Sequence, residues 1–83
     1  MTPTTIQLTP MQYGIVKRIM STPIIAQRKT TLHADQRWTF PGTPDFRDDV
    51  EFEIARMDFT RDRRDRTAAN SIVNKITQAI GGI

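Results

Sequence analysis

His33 and Asp35 are the residues whose types and spacing come nearest to chemistry: the sole histidine of the chain and a carboxylate two positions on. Residues two apart on a strand share a face, so the pair would offer an imidazole nitrogen and a carboxylate side by side. That is two ligands of a metal site, which needs three or four, and the chain has no cysteine to add. A solvated polar strand face is the expectation. A second cluster holds Asp45, Asp48, Asp49, Glu51 and Glu53. Two of these could serve a hydrolase as acid and base, or bind Mg²⁺ or Ca²⁺, but the glycine turn and regular oxygen spacing of a calcium loop are missing. They are expected to solvate their segment or to pair with Arg47, Arg56 and the arginines of 61–66. Ser21 and Ser71 have no histidine near them in sequence. Glycines 14, 42, 81 and 82 are scattered, so no phosphate-cradling loop exists. No catalytic residue, cofactor motif or metal set emerges, and the chain is expected to bind rather than catalyse.

The run Arg61-Asp62-Arg63-Arg64-Asp65-Arg66 is the strongest binding signal. If helical, Arg61 and Arg64 share an edge, with Arg63 as a further candidate beside them and Arg66 a turn away, so the group could grip phosphates and orient a nucleic acid. Asp62 and Asp65 cancel half of that charge, and Asp62 to Arg66 is a favourable i,i+4 pair. Lys17, Arg18, Arg28 and Lys29 extend the basic surface if they lie on the same side. Trp38 is a possible aromatic anchor for a partner or a base, with the core as its other destination.

These residues must be carried by a short chain. Leu8, Thr9 and Pro10 make a helix start in which Thr9 caps, Pro10 takes the first turn and Leu8 could staple onto Tyr13. Met11, Tyr13, Ile15, Val16, Ile19 and Met20 then form an apolar stripe, so a helix is expected over 9–21. Gly14 inside it costs about 1 kcal/mol relative to alanine and could mark a close packing contact. Ile24-Ile25-Ala26 is short and apolar. From Thr30 to Phe40, Leu32, Ala34, Trp38 and Phe40 alternate with polar residues, which predicts a strand. Pro41-Gly42-Thr43-Pro44 breaks the chain. Residues 50–58 fit either period. Val50, Phe52 and Ile54 alternate as in a strand, whereas Phe46, Val50, Ile54 and Met57 recur as in a helix. The need of the 30–40 strand for a neighbour favours a hairpin. Ala68, Ala69, Ile72, Val73, Ile76, Ala79 and Ile80 repeat at helical steps up to the stop at Gly81-Gly82.

Leu8-Thr9-Pro10-Met11-Gln12-Tyr13-Gly14-Ile15-Val16 resembles the helix that opens the helix-turn-helix of MarR-type winged-helix regulators. The resemblance implies a recognition helix and a wing downstream. Pro23, the alternating segment and the Pro41-Gly42 break stand there instead, so the family is not adopted.

The expected architecture is α+β: one small domain over 1–83, with an extended segment at 1–8, an N-terminal helix, a two-stranded antiparallel hairpin and a C-terminal amphipathic helix. If 45–58 is helical, the chain becomes mostly α. At 83 residues the core is small and disulfides are excluded, which shifts the expectation towards assembly with a partner. No apolar run could span a bilayer and no export signal opens the chain, so a soluble cytoplasmic protein is expected. The net charge of +3, with nine of the twelve basic residues arginine, permits an acidic partner without demanding one. The leading expectation is a non-enzymatic protein-binding or self-associating module. Such compact cysteine-free chains are common among accessory proteins of bacteriophage and mobile elements, as structural parts or inhibitors of host factors. The alternative is a nucleic-acid-binding protein. No small-molecule substrate is evident.

Overall fold

Proline and threonine punctuate the backbone. Thr9, Thr22 and Thr43 each stand in extended conformation immediately before a proline that opens a helix, using the ring's fixed φ where the missing N–H costs nothing. The computed structural model describes residues 3–57 and 63–81. In chain order they form β1 (Pro3–Gln7), α1 (Pro10–Met20), α2 (Pro23–Ala26), β2 (Thr31–Leu32), β3 (Arg37–Pro41), α3 (Pro44–Arg56) and α4 (Arg63–Ala79). This is a small α+β domain with a three-stranded antiparallel sheet in the order β1-β3-β2.

Two expectations are corrected here. The hairpin expected between residues 50–58 and the 30–40 strand is not formed, because 44–56 is the helix α3, and residue 58 lies outside the described residues. Thr43 caps it by accepting from the Phe46 N–H, Pro44 opens it, and Phe46, Val50, Glu53 and Ile54 form its buried face. The neighbour that the sheet requires is the N-terminal segment instead, with Ile6 opposite Trp38 and Thr4 opposite Phe40. The sheet therefore survives although 44–56 is helical, so the mostly-α alternative is not what the chain adopts. The expected single strand over 30–40 is in fact two. His33 N–H donates to the Arg37 carbonyl at 2.8 Å and Gln36 N–H to the His33 carbonyl at 3.1 Å, which reverses the chain between β2 and β3. Gln36 closes that turn at φ 69°, a left-handed conformation that disfavours a side chain bearing Cβ.

The helix expected over 9–21 is present, with a capping box in which Thr9 accepts from Gln12 N–H and the Gln12 side chain accepts from Thr9 N–H. Its buried face is Gln12, Ile15, Val16 and Ile19, and Met11 is left exposed. The Gln12 amide explains the rotation, since it turns inward to donate to Ser71 Oγ at 2.5 Å and accept from Lys75 Nζ at 2.8 Å. Gly14 marks no close contact among the described residues, where nothing lies within 4 Å of the place its Cβ would take. Ile24-Ile25-Ala26 forms most of the single turn α2, burying Ile25.

One core joins the layers. Trp38 and Phe40 of β3 meet Phe46 of α3, with Phe40 and Phe46 stacked at a centroid distance of 5.0 Å. Ile6, Leu8, Ile15, Val16, Ile19, Val50, Ile72 and Ile76 close around them. Fully burying one such side chain contributes about 1.5–3 kcal/mol. Along its length α3 lies antiparallel to α4. Arg47 Nε donates to Thr77 Oγ1 at 2.7 Å at one end, while Met57 and Arg66 line a common cavity at the other.

Candidate protein-docking face

The second face of the sheet is polar and internally satisfied. Thr5 and Thr39 hydroxyls lie 2.8 Å apart, and His33 Nε2 lies 2.9 Å from Thr39 Oγ1. Asp35 does not join His33. It accepts from Arg37 Nε at 2.7 Å and from the Arg37 N–H. Loss of solvation raises the Asp35 pKa, but those bonds and the Arg37 and His33 charges together outweigh it and hold the carboxyl below its ordinary value. Among the described residues no three histidine, aspartate or glutamate side chains gather as a metal set.

The expected binding residues stand on three parts of the chain: the end of α1, the segment after α2, and the start of α4. Lys17 and Arg18 are exposed on the last turn of α1, with Lys17 Nζ 5.6 Å from the Tyr13 ring centroid. Thr30 Oγ1 meets Met20 Sδ at 2.9 Å, which brings exposed Lys29 to the same end of the domain as that turn. Arg28 is paired with Asp49 of α3. Arg64 and Arg66 are exposed on the first turns of α4, and Arg66 lines the cavity beside α3. Arg63 opens α4, and Arg61 lies outside the described residues. Trp38 is fully buried against Phe40 and Phe46. That burial corrects the anchor expectation in favour of the core, and its Nε1 has no acceptor among the described residues.

The strongest surface feature is on α3 and lies outside the anticipated set. With Phe46, Val50 and Ile54 inward, the helical period turns Phe52 to the opposite side, where it is 52% exposed. Arg56 Cζ stands 5.6 Å from its ring centroid, a cation–π geometry. Asp48, Glu51, Phe52 and Ala55 line a shallow concavity of about 310 Å³. Between α3 and α4 runs an adjoining groove of about 400 Å³, lined by Arg47, Glu51, Ile54, Ala55, Asn70, Val73 and Asn74. Arg47 bridges Asp48 at 2.9 Å and Glu51 at 3.2 Å, so two carboxylates share one guanidinium and, with Arg56, give the concavity a charged rim of both signs. The helical reading of 45–58 carries this signal in the sequence; the strand reading puts Phe52 on the buried side with Val50 and Ile54.

Comparison of the chain with family models, with curated proteins and with solved structures gives no match. No helix among the described residues is long and apolar enough to cross a membrane.

Proposed function

We propose that this chain is a small non-enzymatic protein-binding or assembly module whose docking face is the outer side of α3 with the α3–α4 groove. The observation that carries the reading is Phe52, a large apolar side chain left 52% exposed beside apolar Ala55 and within a charged rim. An aromatic over a shallow pocket with charged residues around it has the composition of a protein interface centre and its rim. The pairing of Arg28 with Asp49 further favours a protein partner over nucleic acid, because it removes one cation from phosphate binding. Size and composition agree with an accessory chain of a bacteriophage or mobile element acting on or within a larger assembly.

The reading is tested by comparing protein capture from source cells by the wild type, Phe52→Ser and Thr31→Glu. Captured protein retained by the wild type and Thr31→Glu but lost by Phe52→Ser supports it. An unchanged profile for Phe52→Ser, or tight nucleic-acid binding that weakens steeply with salt, overturns it.

A further inference from the structure

Met11 and Phe52 are the two large hydrophobic side chains left exposed among the described residues, and they stand on helices of opposite charge. On α1, Met11, Gly14 and Arg18 follow one another along the exposed side at steps of three and four. Lys17 flanks them, and α1 contains no acidic residue. On α3, Ala55, Phe52 and Asp48 follow one another in the reverse direction at the same steps, flanked by exposed Asp45 and Glu51. Gly14 leaves an open gap in its ridge, with nothing within 4 Å of a Cβ placed there. The folded chain itself therefore gives no packing reason for a glycine that weakens the helix.

We propose that the occupant of the α3 face is α1 of a second copy of this chain, laid antiparallel, so that Phe52 enters the gap at Gly14. Resting on the protein-binding reading above, this arrangement sets Met11 against Ala55 and Arg18 with Lys17 against Asp48 and Asp45. The antiparallel direction is the one that pairs the charges, because a parallel one brings Arg18 towards Arg56. Each copy then uses two different surfaces, which makes the contact heterologous and able to propagate into a ring or an open chain. Two α1 helices packed on each other would bring only cations together.

Light scattering on the purified chain over a range of concentration and salt tests the proposal. The wild type should self-associate, less so at high salt. Arg18→Asp and Asp48→Arg should each weaken association by about tenfold or more, the scale of losing one interface contact. Mixing the two variants should restore it, since each supplies the surface that the other now matches. Gly14→Ala should raise the melting temperature of the chain yet weaken association. A monomer at every concentration, or association indifferent to both charge reversals, overturns the proposal. Phe52-dependent capture of a different protein by a monomeric chain also overturns it, while leaving the protein-binding reading in place.

Discussion

Lys75 of α4 donates from Nζ to the backbone carbonyl of Gln7 at 2.7 Å, so the last helix fastens the end of the first strand. The Leu8 N–H already donates to the Gln36 carbonyl. Antiparallel alternation then turns the backbone groups of Thr5 and Gln7 away from β3, towards the open edge of the sheet. Lys75 covers that edge at Gln7, and Pro3 at its other end has no N–H to offer, two devices that keep an edge strand from pairing with another chain. The proposed docking face is instead the outer side of α3, where Phe52 stands 52% exposed.

Lys75→Met should destabilise the fold by about 1.5–3 kcal/mol, the scale of a charge-assisted hydrogen bond, because the Gln7 carbonyl loses the Lys75 donor and Gln12 Oε1 is left with the Thr9 N–H. Urea denaturation measures it. A midpoint equal to that of the wild type would show that Lys75 is an ornament of the surface.

Gln36→Gly should stabilise the chain by about 0.5–1 kcal/mol, since glycine adopts positive φ without the Cβ penalty. The contacts made by residue 36 to Leu8 and Gln7 use its carbonyl oxygen and survive the change. A lower melting temperature for the variant would argue against this turn geometry.

Phe46→Ala should cost about 3–5 kcal/mol, as expected for an aromatic removed from a packed core. Phe46 is fully buried and ties α3 to the Trp38 and Phe40 rings. Trp38 is the one tryptophan, so its emission should be blue-shifted when folded and move to the red through the same transition. Emission already at the solvent-exposed wavelength would contradict the core described above.

Asp35 gives an acid dependence. Its folded pKa lies below the ordinary value, so the stability that it contributes is complete above the ordinary carboxylate range and is lost as pH falls through the folded value. The melting temperatures of the wild type and Asp35→Asn should differ at neutral pH and converge below about pH 4. A difference independent of pH would remove the carboxylate from the account.

Local signals in the sequence were enough for α1, where Thr9, Pro10 and the apolar stripe agree, and for α4, where Ala69, Ile72 and Ile76 recur up to Gly81. Gly81 takes φ 100° after the helix, the stop anticipated for it. Over 50–58 the pattern is double, because Val50, Phe52 and Ile54 satisfy a period of two while Phe46, Val50 and Ile54 satisfy a helical one. What decides is the cap at Thr43 together with a sheet partner 36 residues away in sequence, Thr4 for Phe40, which local patterning cannot reveal. The candidate site depends on the same choice, because placing Phe52 on the outside requires α3 to be a helix.

A photo-crosslinking benzoylphenylalanine in place of Phe52, with the same group in place of Thr31 on the open sheet face as control, tests the docking face most directly in the cells that express the chain. The account predicts discrete crosslinks to protein from position 52 and none from position 31. Crosslinks from position 31 alone, or none from either, would contradict it.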